Sequence, residues 1–239
     1  KMGFKYLNKD QDIFDGDDGE DVYANEEQLQ SRLEYFESQL VGLSESAPAE
    51  ERIKILLEIG RIQVERYKGA DAWEKAFTAF SLAQEDELWE LAVEACDVMF
   101  LSEGPDALVA LGHALWLGIT FPIDPEITVA MLQHLVEESP EEADTRAVAA
   151  AAAHYITTLR CGEDDDLTFF ALQMLTSVAD KHSHITDQST FDVWRKTLEL
   201  DKPEVFLKKL SGAVDLLVED KWWVDRDTIK AKLDAENTH

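Results

Sequence analysis

The chain has 239 residues, 45% of them apolar and 30% charged, with only six prolines and eleven glycines; this is a globular composition, long enough to enclose a substantial core. Fifty acidic residues against 22 basic ones leave a formal net charge of −28. Such a field repels nucleic acid and anionic membrane surfaces, which sets both aside as partners, and it attracts a basic protein or peptide.

The charge is unevenly placed. Between positions 76 and 194 there are 22 carboxylates and three basic residues, Arg146, Arg160 and Lys181, whereas the two signs roughly cancel from 195 to 232. Cys96 and Cys161 are the only cysteines, too few for a secreted disulfide framework. The longest apolar run, 107–123, is interrupted by His113 and Pro122 and is too short to span a bilayer. No signal peptide, transit peptide or lipidation motif is read, so the expected location is cytoplasmic.

Residues 1–24 carry few periodic apolar positions and the acidic string Phe-Asp-Gly-Asp-Asp-Gly-Glu-Asp-Val-Tyr at 14–23. A calcium loop needs Asp-x-Asp-x-Asp-Gly followed by Glu at its twelfth place. Counting from Asp15 puts Glu20 where the glycine belongs, and counting from Asp10 puts Asp15 there. The stretch is therefore read as a flexible acidic arm, and 25–239 as a single helical-repeat domain.

Asn25 is a suitable N-cap for a first helix over 25–40, with Leu29, Leu33, Phe36 and Leu40 as its apolar stripe. Pro48 opens a second helix to about 67, and a third covers 70–84. In the fourth, 86–101, Leu88, Leu91, Ala92, Ala95 and Met99 line one side, and Trp89, Val93, Cys96 and Phe100 another. Glu87, Glu90, Glu94 and Asp97 form the polar stripe between, so the helix is expected between two neighbours with these carboxylates exposed. The fifth, 105–119, is apolar almost all round and should be central. Further helices are expected over 125–138, 140–159 with its small run 147–153, 167–181, 190–200, 203–218 and 228–235. Their short connections make consecutive helices antiparallel neighbours.

Residues 56–83 form two helical arms joined at Lys68-Gly69. Leu56, Ile59 and Gly60 on the first arm and Ala76, Phe80 and Ala83 on the second resemble a tetratricopeptide repeat, with Gln63 where that family has an aromatic. A partial second copy has Leu108, Leu111 and Gly112, then Thr128, Leu132 and Pro140. The two glycines lie 52 positions apart, from 60 to 112, rather than one 34-residue period. The intervening helices are closer to the irregular units of HEAT or armadillo repeats, and Asp144-Thr145-Arg146 before the alanine run is similar to a HEAT second helix. The resemblance covers roughly 48–181. It implies an all-α fold, a right-handed α-solenoid of about ten to eleven helices in antiparallel hairpins closed by C-terminal capping helices, and a protein-binding scaffold.

Chemistry is sparse. His113, His134 and His154 fall one each on three adjacent helices, but two of those helices are strongly apolar, and a hydrogen-bonded core histidine outweighs a metal ligand. Asp180, His182 and His184 cluster at a helix C-terminus, which favours cationic groups without any ligand. No nucleophilic role is assigned to either cysteine, and no nucleophile elbow, Walker loop or dinucleotide loop is present. No catalytic residue, metal or cofactor is assigned. Trp222 and Trp223 can either anchor a partner or seal the last helix onto the stack, and sealing is preferred.

The expectation is a non-enzymatic scaffold, adaptor or assembly chaperone that binds a basic protein or peptide. Glu87, Glu90, Glu94, Asp97, Trp222 and Trp223 are its candidate contact residues. An immunity-type or nucleic-acid-mimicking inhibitor of a basic toxin or nuclease is the second reading. A metal-dependent helical enzyme is the third.

Overall fold

The structure, a computed structural model, describes residues 3–7 and 19–238, with residues 19–24 described in backbone only. The acidic string at 14–23 and its calcium registers therefore fall largely outside the described residues. Among the described residues there is no strand, and the helices run α1 (Gly19–Gly42), α2 (Ala49–Glu65), α3 (Gly69–Glu85), α4 (Trp89–Leu101), α5 (Ala107–Thr120), α6 (Pro125–Glu138), α7 (Asp144–Cys161), α8 (Asp166–Ser183), α9 (Gln188–Thr197), α10 (Pro203–Val218) and α11 (Arg226–Glu236).

Several starts differ from the sequence expectation. The first helix begins at Gly19, ahead of the Asn25 expected as its cap. Pro140 does not open α7; it accepts from the Ala143 amide in a separate turn, and the helix starts at Asp144. Residues 86–88, expected inside α4, form its connection to α3.

That connection shows how the hairpins turn without glycine. Glu87 has φ +55°, its N–H donates to the Gln84 carbonyl, and the Leu88 N–H donates to the Ala83 carbonyl. This is the paired 6→1 and 5→2 bonding of a Schellman motif. Tyr67 (φ +57°) repeats it with bonds from Tyr67 to Val64 and from Lys68 to Gln63, and Glu199 (φ +57°) with bonds from Glu199 to Lys196 and from Leu200 to Arg195. Gly69, read as part of the junction between the two arms of 56–83, has a different job. A Cβ there would lie 2.4 Å from the Ser102 carbonyl oxygen, so the glycine lets the end of α4 approach the start of α3.

Consecutive helices pack against one another from α1 to α8, and α2 and α6 also both touch α4, which gives a solenoid-like stack. The stripe Leu29–Leu33–Phe36–Leu40 faces α2, where Leu29 and Leu33 are buried with Ile59 and Ile62. In α7 the whole run 147–153 is buried, and its small side chains admit three neighbours, α6, α8 and α10.

Beyond α8 the chain stops following the stack. Helix α10 packs against α5 and α7, far earlier in sequence, and lies along the side of the array instead of extending its end. The cause is α5. Its residues 109–115, Leu117 and Gly118 are all buried, so neighbours α4 and α6 alone leave an apolar side open, and α10 covers it. The approach is close at Gly112, where a Cβ would fall 2.4 Å from Val218 Cγ2 and 3.3 Å from Leu217 Cβ.

Two substitutions should move stability in opposite directions. Tyr67 is 92% exposed and holds a left-handed backbone, so Tyr67→Gly should stabilise by about 1 kcal/mol. Gly112→Ala should destabilise by roughly 1–3 kcal/mol, because α10 must back away from α5. Urea unfolding of the two variants beside the unaltered chain measures both.

Candidate functional site

The four carboxylates of the α4 stripe do not form one exposed surface. Glu94 is only 9% exposed and forms an ion pair with Arg61 of α2, which also binds Glu58 at 2.7 Å. Asp97 is half-buried and accepts from Nε2 of His134 on α6 at 3.0 Å. These two contradict the expected exposure: α4 lies between α2 and α6, and its stripe supplies the polar contacts to both. Arg61 keeps a raised pKa although burial opposes its charge, because Glu94 and Glu58 more than offset that penalty. The other two carboxylates are exposed. Glu90 accepts the Asp124 amide at 2.9 Å, and Glu87 pairs with Lys232 of α11.

Trp222 and Trp223 lie half-buried against α3 and α5. The Trp223 indole stacks on His113 with centroids 4.3 Å apart and planes 15° from parallel, and it meets Trp73, Phe77 and Phe80 of α3 edge-on at 5.9, 5.4 and 5.7 Å. Trp222 lies edge-on to Trp116 and carries the Arg226 guanidinium over its face at 3.7 Å. The geometry seals residues 222–223 to the side of α3 and α5, between α10 and α11.

His113 is the hinge of that seal. It is fully buried; Nδ1–H donates to the Val109 carbonyl at 2.8 Å and Nε2 accepts the Trp223 amide at 2.9 Å. The Trp223 bond needs the neutral ring, because a protonated Nε2 cannot accept, and burial holds the His113 pKa down to about 4 against the opposing pull of the Val109 bond. The three histidines thus do not converge: His113 is under Trp223, His134 meets Asp97, and His154 is half-buried on α7 with its pKa lowered by burial. His182 binds Asp144 of α7 at 2.9 Å and accepts from Trp194 of α9 at 3.3 Å, while His184 caps α8 in a left-handed conformation. Among the described residues no group of three or more His, Cys, Asp or Glu side chains is placed to hold a metal ion. Burial raises both thiols, Cys96 well above the ordinary value, so neither is an activated nucleophile.

Two features carried no sequence signal. Arg160 of α7 reaches the C-terminal end of α5 and donates to the carbonyls of Gly118, Ile119 and Phe121 at 3.1, 3.3 and 3.2 Å, acting as a cap supplied by another helix. The other is the segment 3–7, which packs on the stack. Phe4 meets Phe170 of α8 edge-on at 5.6 Å, and the amides of Tyr6 and Leu7 both donate to Glu126 in the first turn of α6.

Comparison with protein-family models, curated proteins and solved structures found no match. Among the described residues no helix is long and apolar enough to cross a membrane.

The His113 seal predicts a pH dependence. The folded-state pKa lies below the unfolded value of 6.5, so the unfolded chain takes up a proton that the folded ring refuses. The stabilisation is complete above pH 6.5 and is lost as pH falls toward and through about 4, by on the order of 3 kcal/mol in all. His113→Gln should be less stable at pH 7.5 and should lack this part of the acid decline. Urea melts at pH 7.5, 5.5 and 4.5 compare the slopes.

Proposed function

We propose that the chain is a non-enzymatic binding scaffold that uses an acidic helical surface to engage a basic protein or peptide. The observation that carries this reading is the fate of the few cations between 76 and 194. Arg146 turns back to donate to the Ser139 carbonyl at 3.1 Å, and Arg160 is spent on the end of α5. Lys181 is the exposed one.

The carboxylates of the same region stay mostly outside. Glu137, Glu138, Glu141, Glu142 and Asp144 are exposed around the α6–α7 turn, and Glu163, Asp164, Asp165 and Asp166 around the α7–α8 turn. These two groups mark the ends of α7, about 27 Å apart for an 18-residue helix. A basic partner would meet negative potential at either end of that helix, and Glu87 and Glu90 are exposed on the α3–α4 side of the stack. Glu94 and Asp97 hold α2, α4 and α6 together in this reading. A stack of helix hairpins, the architecture shared by tetratricopeptide and HEAT proteins, suits such an extended surface.

Binding of a lysine-rich peptide to the full chain, measured by calorimetry over a salt series, tests the reading. Glu137→Lys with Glu141→Lys should weaken binding by about fivefold at low salt and flatten its salt dependence, since exposed charges act mainly through long-range attraction. Equal affinity and equal salt slope for the two proteins would remove the acidic surface from the function.

A further inference from the structure

Residues 3–7, Gly-Phe-Lys-Tyr-Leu, have no regular secondary structure, yet Phe4, Tyr6 and Leu7 all pack against the main core. Their attachment has three parts. Glu126 is half-buried at the start of α6, and one of its oxygens receives two successive main-chain amides, with the Leu7 N–H at 3.3 Å. Main-chain bonding of this kind fixes a segment without regard to its side chains. Selectivity comes from Phe4 against the half-buried Phe170 of α8 and from the half-buried Tyr6. Charge is the third part. Lys5 is exposed, and its ammonium sits 4.9 Å from the centre of the Tyr6 ring.

The solenoid core beneath is continuous without residues 3–7, since α4 packs on α6, α6 on α7 and α7 on α8 directly. The segment and its seat together form a ligand-like constellation: an aromatic anchor, an exposed cation, a second aromatic, and a carboxylate of α6 that accepts backbone amides.

The geometry points to the surface between the first turn of α6 and Phe170 of α8 as a binding site for a short partner segment of aromatic–basic–aromatic–aliphatic sequence, for which residues 3–7 are the internal competitor. This rests on the reading of the chain as a binding scaffold and names the ligand class. A ligand tethered in the same chain has an effective concentration on the order of millimolar. An outside segment therefore sees only the fraction of molecules in which residues 3–7 are released, and its apparent affinity falls by that fraction.

The test uses the full chain and a fluorescein-labelled, end-capped peptide Gly-Phe-Lys-Tyr-Leu, followed by anisotropy. Phe4→Ala with Tyr6→Ala frees the surface and should tighten peptide binding by about tenfold relative to the unaltered chain. Adding Glu126→Ala to that variant should weaken binding by about tenfold again, because both amide bonds lose their acceptor. A second form of the freed chain, with residues 3–7 replaced by Gly and Ser, should behave like the first. The control peptide Gly-Ala-Lys-Ala-Leu carries the same charge and should bind at least about fivefold more weakly. Equal binding by unaltered and freed chains, or indifference to Glu126→Ala, overturns the inference. Equal binding of the two peptides also overturns it while leaving the acidic-surface reading standing, whereas tight binding that ignores salt supports the site and counts against that broader reading.

Discussion

Helix α5 is buried over most of its surface, from Val109 to Leu115 and again at Leu117 and Gly118, and the rest of the chain is arranged around that constraint. The helices before and after it supply two walls. The third has to come from distant sequence, which is why α10 returns to it and why Gly112 leaves room for Val218. His113 lies on the same helix and is tolerated in the core because both ring nitrogens are satisfied, one by Val109 and one by the Trp223 backbone. The polar group that looked like a candidate ligand thus works as the fastening of the chain's last third.

The same logic sorts the charges. Where helices of the stack face one another, a carboxylate survives only with a partner, as Glu94 does with Arg61 and Asp97 with His134. The half-buried guanidinium of Arg160 pairs with no carboxylate among the described residues; helix-end carbonyls take that place and their partial negative charge supports it. Most remaining carboxylates of the central region lie at turns, where solvent supports them. Separating the paired interior charges from the solvated ones at the turns leaves an acidic surface that is smaller than the composition suggests and more sharply placed.

Two surfaces then stand apart in chemistry. The turns at either end of α7 offer charge with little shape, which suits attraction and steering. The start of α6 and Phe170 offer a carboxylate and an aromatic ring at fixed positions, already engaged by residues 3–7. Attraction over distance and selection at contact are separate physical tasks, and in the proposed scaffold these surfaces would divide them.

Much of the fold was legible in order along the chain. Apolar periodicity located the helices because a helix facing a core repeats its pattern every three or four residues, and α6 and α10 begin and end where that pattern placed them. The hairpin turns gave weaker signals, since Tyr67, Glu87 and Glu199 occupy left-handed positions that glycine usually marks. The stripe of α4 was read correctly as polar and wrongly as wholly exposed: periodicity tells that a face is polar, but whether water or a neighbouring Arg61 or His134 meets it depends on the next helix. The docking of residues 3–7 on Glu126, the Arg160 cap and the return of α10 join positions far apart in sequence, and no local pattern encodes such pairs. By itself, then, the sequence determined an all-helical chain, its charge and most of its helix boundaries, because those follow from local spacing and composition. Only the tertiary structure decided which carboxylates remain free and which face of α5 the last third covers, because burial and pairing are properties of neighbours in space.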